Sequence, residues 1–103
     1  RDHVKAALEG LCVNSYRNLS IGEDERAAGF KLLARKVWTT YQGRIEGREE
    51  AIGLPSFEQI DRDVLNRLLN PESGVPVDMA NRLRTKLGRP AATNAPSASA
   101  PGR

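Results

Sequence analysis

The 103-residue chain contains few side chains that could ligate a metal or act as a nucleophile, and they do not cluster. There is one histidine, His3, and one cysteine, Cys12. A zinc site needs three or four such ligands at characteristic spacing, and neither residue has partners at that spacing. A single cysteine also excludes an internal disulfide bond. We therefore predict no metal and no cofactor, with His3 on the surface and Cys12 as a small buried residue.

The carboxylates Asp61 and Asp63 are the nearest approach to a general acid and base pair. Residues two positions apart on a helix point in different directions, so these groups cannot act together without other elements. We predict that both side chains are solvated. No phosphate-binding loop, nucleophile elbow or zinc motif occurs in the sequence. The sequence therefore predicts a protein that is not an enzyme.

Three aromatic residues, Phe30, Trp38 and Tyr41, are candidates for a platform that stacks on bases or on a cofactor. They recur at helical spacing among aliphatic residues, and the chain has only five aromatic residues in all. A small domain needs most of its aromatic side chains inside. We therefore assign them to core packing.

The elements that position these residues are four segments in which apolar residues recur at helical intervals. The first helix covers about residues 3–19. The second, and longest, opens with Ser20 and Glu23 at capping-box spacing. The third runs from about 57 to 69 behind a second capping box, Ser56 and Gln59. The fourth starts at Pro76 and ends at Gly88.

Each helix has a predicted inward face. The stripe on the second helix consists of Phe30, Leu33, Ala34, Val37, Trp38 and Tyr41. The inward face of the fourth helix consists of Val77, Ala80, Leu83 and Leu87. Alternation typical of a strand is absent from the sequence.

These patterns predict an all-α fold, a small four-helix domain over residues 1–88. Its third and fourth helices should form a C-terminal hairpin that packs across the first two. Residues 89–103 are rich in Pro, Ala and Ser and lack large apolar side chains, which is typical of a flexible tail or a truncated linker. The sequence has no apolar run long enough to predict a membrane span.

Charge is distributed unevenly along the chain. Residues 82–103 carry five basic residues and no acid, whereas residues 49–72 carry six acids and two arginines. A basic segment suits an anionic partner such as nucleic acid, an anionic membrane surface or an acidic protein patch. The partner-binding residues we predict are Arg82, Arg84, Lys86 and Arg89; the alternative is an ordinary solvated helix face.

Residues 60–88 resemble the second half of the lambda-repressor-like helix-turn-helix family. The matching features are Ile60, a helix that ends at Leu69-Asn70, a loop with Gly74-Val75, and the later residues Ala80, Leu83 and Leu87-Gly88. This resemblance implies a DNA-binding domain with a recognition helix over residues 60–69. The residues it implies for DNA binding are Arg62, Asp63, Asn66 and Arg67.

Two features of the same stretch favour a packed helical hairpin. Pro55 and the Ser56/Gln59 capping box start one continuous helix at Phe57, which leaves no turn before Ile60. Acidic residues also outnumber arginines there, whereas DNA binding depends on neutralising phosphates. We therefore predict a non-catalytic interaction module or accessory subunit that docks on a larger protein assembly. A helix-turn-helix DNA-binding domain is the alternative.

Overall fold

The computed structural model describes residues 2–89 and has the predicted all-α architecture of four helices. They are α1 (Asp2–Ser20), α2 (Asp24–Ile45), α3 (Phe57–Leu69) and α4 (Val77–Lys86), with a short 3₁₀ turn at Glu49–Ala51 before α3. No strand occurs in the described range, and α2 is the longest helix, as predicted. Most of the predicted tail, residues 90–103, lies outside the described residues. Within residues 2–89, no helix is both long and apolar enough to cross a membrane.

A three-residue turn joins α1 to α2 and sends the two long helices antiparallel. Gly22 adopts a φ of +82° in this turn, a conformation that costs glycine little. The predicted capping box is wrong. The Ser20 hydroxyl donates to the Arg17 carbonyl of its own helix at 2.7 Å, and Glu23 makes no side-chain capping bond to α2. Serine readily bonds to a carbonyl one turn back, so the spacing alone did not mark a helix start.

The beginning of α3 agrees with the prediction. The Gln59 backbone N–H donates to the Ser56 hydroxyl at 3.1 Å, which satisfies one of the free donors of the first turn. Before this cap, the Pro55 carbonyl accepts a hydrogen bond from the Trp38 indole N–H at 3.1 Å. This bond fixes the start of α3 against α2. From Phe57 the helix is continuous through Ile60.

The core lies around α1, which contacts each of the other three helices. α3 and α4 pack mainly against α1 and reach α2 chiefly through side chains. Cys12 is buried among the core residues, as predicted. The largest fully buried side chains are Trp38, Leu8, Ile60, Leu83 and Val64.

Two of the predicted inward faces need correction. On α4, Ala80 and Leu83 are buried as expected, but Val77 is 68% exposed and Leu87 is also exposed, while Met79 is buried instead. Val77 and Leu87 stand at the two ends of a ten-residue helix, where the neighbouring helices do not cover them. Helical periodicity indicates which residues share a face, but it does not show how far a neighbour extends along that face.

On α2 the buried residues are Ala27, Ala34, Trp38 and Ile45. The remaining apolar residues of the predicted stripe lie to one side of this line. Leu33 is 48% exposed, and Phe30 and Val37 are half-buried without joining the core cluster. The assignment of Phe30 and Leu33 to the core is therefore wrong. The apolar arc of α2 is wider than the surface that α1 and α3 cover.

Candidate interaction surface

A polar cluster links α1, α2 and α3 through Tyr16, Lys31 and Asp61. The Tyr16 hydroxyl donates to Asp61 Oδ1 at 2.8 Å, and Lys31 Nζ donates to the Tyr16 oxygen and to Asp61 Oδ2, each at 3.1 Å. Lys31 Nζ also lies 4.2 Å from the centroid of the Tyr16 ring. The prediction of a solvated Asp61 is wrong, because two other helices bring a donor to each of its oxygens. Asp63 is exposed, as predicted.

The protonation of this cluster suits a structural link. Burial raises the pKa of the Tyr16 hydroxyl. Burial alone would lower the pKa of Lys31, but the hydrogen bonds that its ammonium donates to Tyr16 and Asp61 raise it above its ordinary value. A lysine that acts as a base needs its pKa lowered towards neutrality. At neutral pH the cluster therefore contains a protonated lysine and a neutral tyrosine on a shared carboxylate.

The other chemically reactive side chains are isolated. Burial raises the pKa of the Cys12 thiol to about 11, so the nucleophilic thiolate is scarce at neutral pH. His3 is exposed near the start of α1. Among residues 2–89 no group of three or more His, Cys, Asp or Glu side chains is placed to hold a metal ion.

Two of the four basic residues predicted to bind a partner make contacts within the chain. Arg84 donates from its guanidinium to the Leu69 carbonyl at 2.6 Å and so satisfies the C-terminal end of α3. Lys86 Nζ lies 3.1 Å from Asp24 Oδ1 at the start of α2. Arg82 and Arg89 are exposed. Two members of the set thus already serve contacts within the chain.

The residues implied by the helix-turn-helix resemblance lie on the outer face of α3. Arg62, Asp63 and Asn66 are exposed there. Arg67 is exposed as well, and its guanidinium lies 3.4 Å from Glu9 of α1. The face therefore mixes basic, acidic and neutral side chains.

A different surface, on α2, combines apolar side chains with unmatched charge. Phe30, Leu33, Val37 and Tyr41 follow one another at intervals of three or four residues and so form a single row. We call this row the α2 outer stripe. Leu33 is two residues from Lys31 and from Arg35, the side chains that contact α3, and so points to nearly the opposite side of the helix.

Two shallow concavities lie along the stripe. One, of about 300 Å³, is formed by α2 with one residue of α1; its lining is Val4, Lys36, Val37, Thr40, Tyr41 and Arg44. The other, of about 280 Å³, is lined by Arg26, Gly29, Phe30 and Leu33. Gly29 forms the floor of this concavity because it has no side chain. The space above it is open, and a Cβ added there would meet no atom within 4 Å. The surface along the stripe is therefore not flat.

Basic residues border the stripe. Arg26, Lys36 and Arg44 are all exposed, and the ion pairs found among residues 2–89 do not include them. No acidic residue occurs on α2 between Arg26 and Ile45. The surface is therefore an apolar row with a positive border.

The sequence contained a signal for this surface that the prediction did not use. Phe30, Leu33 and Val37 were identified as one face with Ala34 and Trp38, and all five were assigned to the core. An apolar arc that wide on a 22-residue helix exceeds what one neighbouring helix covers. The absence of acids from residue 26 to residue 45 was the second signal.

Comparison of the chain with models of protein families, with curated proteins and with solved structures finds no match. The function of the surface therefore has to be inferred from its own geometry and charge.

Proposed function

We propose that this protein is a non-catalytic helical interaction module that docks on a larger protein or assembly through the α2 outer stripe. The observation that carries the proposal is the row Phe30, Leu33, Val37 and Tyr41, which is apolar, lies on the longest helix and is only partly covered. A contiguous apolar row with a polar rim is one of the features that mark binding sites. Rows with this spacing are the usual contact of helix-to-helix recognition.

The proposal moves the docking face from α4 to α2. Arg84 and Lys86 are engaged within the chain, so a partner would have to replace those contacts. Within residues 2–89 the basic border has no such ion pairs to lose. In the stripe, the Tyr41 ring stacks on Trp38 with centroids 5.5 Å apart, and Leu33 is the most exposed member. Arg82 and Arg89 stay available as secondary contacts at the C-terminal end.

Capture of the native partner tests this proposal, with two neighbouring leucines as a matched pair. Leu33 and Leu32 are adjacent and similarly exposed, at 48% and 60%, but they point about 100° apart on the helix. We expect a stoichiometric partner to co-purify with the wild-type protein and with Leu32→Glu, but not with Leu33→Glu. Equal recovery with both variants would contradict the proposal.

DNA binding through α3 is the competing proposal. It is supported by the resemblance at residues 60–88 and by the exposure of Arg62 and Asn66. It predicts salt-sensitive binding to duplex DNA that falls when Arg62 or Arg67 is changed to alanine. Binding unaffected by these changes, or no binding at low salt, would argue against it.

A further inference from the structure

We infer that the α2 outer stripe receives an amphipathic helix with acidic flanks, supplied by a partner protein. This inference rests on the proposed function and specifies the chemistry of the partner. Its basis is the charge around the stripe, the geometry of self-pairing, and the way the chain covers the opposite side of α2.

The charge border favours a partner that supplies carboxylates when it covers the stripe. Arg26, Lys36 and Arg44 surround the apolar row without an ion-pair partner in residues 2–89. A partner that covered the row with neutral or basic side chains would remove water from these cations without compensating them. Carboxylates beside the apolar residues of the partner would provide both attraction and orientation.

A second copy of this chain is a poor occupant. If two α2 helices pair antiparallel about the middle of the stripe, near residue 35, Arg26 of each copy faces Arg44 of the other. If they pair in parallel, each arginine faces its own equivalent. Both arrangements place like charges together at the two ends of the contact, which disfavours association.

On the opposite side of α2, the helix α3 supplies carboxylates and an apolar ring of the kind we infer for the partner. There α3 presents Glu58 to Arg35 at 2.8 Å and Asp61 to Lys31 at 3.0 Å. The Arg35 guanidinium carbon also lies 4.4 Å from the centroid of the Phe57 ring. Carboxylates and an apolar ring from one amphipathic helix thus match two cations of α2. The outer stripe offers three cations and an apolar row, and no helix of residues 2–89 pairs carboxylates with these cations.

The dimensions of the stripe set the size of the occupant. From Phe30 to Tyr41 the row is about 16 Å long, at 1.5 Å per residue, and Arg26 and Arg44 stand roughly 27 Å apart along the axis. A partner helix of about 18 residues spans that distance. Its apolar residues should recur at three- and four-residue intervals over the central three turns, with carboxylates towards both ends.

Nucleic acid suits the stripe less well, because a phosphate backbone would contact the three cations and leave Phe30 and Leu33 without an apolar partner. Such interfaces are strongly basic and have little apolar surface at their centre. Short labelled duplex DNA therefore serves as a third probe, beside the peptides, for a competing occupant.

The test uses two labelled helical peptides of about 18 residues, both with the same leucine row, one flanked by glutamate and the other by lysine. Binding to the full chain is followed by fluorescence anisotropy at low and high salt. We expect the glutamate peptide to bind roughly tenfold more tightly than the lysine peptide, with the difference reduced by salt. The variant Arg26→Glu/Lys36→Glu/Arg44→Glu should reverse the preference.

A charge-matched control separates the stripe from net charge. The variant Lys5→Glu/Arg17→Glu/Arg48→Glu reverses three exposed basic residues elsewhere and should keep the preference for the glutamate peptide. Sedimentation of the wild-type protein should show a monomer. Binding of both peptides alike, or of neither, would overturn the inference. So would Leu33-dependent dimerisation or a preference for duplex DNA that depends on the stripe.

These outcomes are distinguishable from failure of the proposed function. If native partner capture depends on Leu33 but the peptides show no charge preference, the interaction module stands and the acidic helix does not. If capture is indifferent to Leu33, the docking face itself has been misassigned.

Discussion

The two sides of α2 have similar residues and different surroundings. On one side Lys31 and Arg35 meet Asp61 and Glu58 of α3, and Trp38 is fully buried. On the other side Arg26 and Lys36 border an apolar row that residues 2–89 cover only in part. Burial on the first side stabilises the fold, whereas the half-exposed Leu33 on the second side contributes little to it. The second side is the docking face that we propose.

The largest expected contrast is between Trp38→Ala and Leu33→Ala. Removing Trp38 empties a fully buried site and leaves the Pro55 carbonyl without its donor, so we expect a loss of about 4 kcal/mol in the free energy of unfolding. Leu33→Ala should cost less than about 1 kcal/mol, because its side chain is half exposed. Urea unfolding followed by circular dichroism measures both. Similar losses for the two variants would contradict the assignment of Trp38 to the core and of Leu33 to the exposed face.

Alkaline pH should lower the stability of the fold through three residues at the packed interface of α1 and α2. The pKa values of Cys12, Tyr16 and Lys31 are all raised in the folded protein, to about 11 for Cys12. The folded state then retains protons that the unfolded chain releases, so stability is greatest below about pH 9 and falls as the pH rises. For Cys12 the full loss is roughly 2 to 3 kcal/mol.

The variant Cys12→Ala isolates that contribution. It is expected to be less stable at neutral pH, because a buried side chain is shortened. Its unfolding free energy should nevertheless fall less steeply than that of the wild-type protein between about pH 9 and pH 11. Urea unfolding across this range supplies the measurement, and parallel profiles for the two proteins would refute the assignment.

Asp61→Ala should destabilise the fold by about 2 kcal/mol, because it leaves the Lys31 ammonium and the Tyr16 hydroxyl without their shared acceptor. Asp63→Ala is the matched control: this exposed carboxylate lies on the same helix, and its loss should change stability by less than about 0.5 kcal/mol. Thermal unfolding of the two variants compares them directly. Equal effects would mean that the polar cluster contributes nothing to stability.

The smallest expected effect concerns Gly29, which lies beside the α2 outer stripe. Gly29→Ala adds a methyl group where no atom lies within 4 Å and should stabilise α2 by roughly 0.5 to 1 kcal/mol. Gly10→Ala on α1 has equally open space and should give a similar gain. Only Gly29→Ala should weaken partner binding, by a few-fold, because it fills part of a concavity in the stripe. A binding titration of both variants checks this difference.

The elements were predictable where local chemistry defines them. The start of α3 at Phe57 follows from Pro55 and the Ser56 cap, which operate within four residues. The role of Asp61 could not be read from its neighbours, because Tyr16 and Lys31 are 45 and 30 residues away along the chain. In the same way, the sequence identifies Arg84 as basic but not as a donor to the Leu69 carbonyl.

The apolar residues of α2 show the same division between local pattern and distant cover. Their periodicity predicted one continuous face, and Phe30, Leu33 and Trp38 do lie on one broad arc. How much of that arc is buried depends on the width of α1 and the position of α3, which no local pattern specifies. The sequence therefore identified the residues of the candidate site but predicted that they would be buried, whereas the structure leaves them partly exposed.

The short turn between α1 and α2 has a consequence for the order in which this surface forms. Both helices are encoded in the first 45 residues and meet through a three-residue connection, so their pairing closes only a short loop and should be fast. During synthesis the chain emerges from its N-terminus. We therefore expect α1 and α2 to pair before α3 and α4 leave the ribosome, so that the docking face we propose would be the first surface the nascent chain presents.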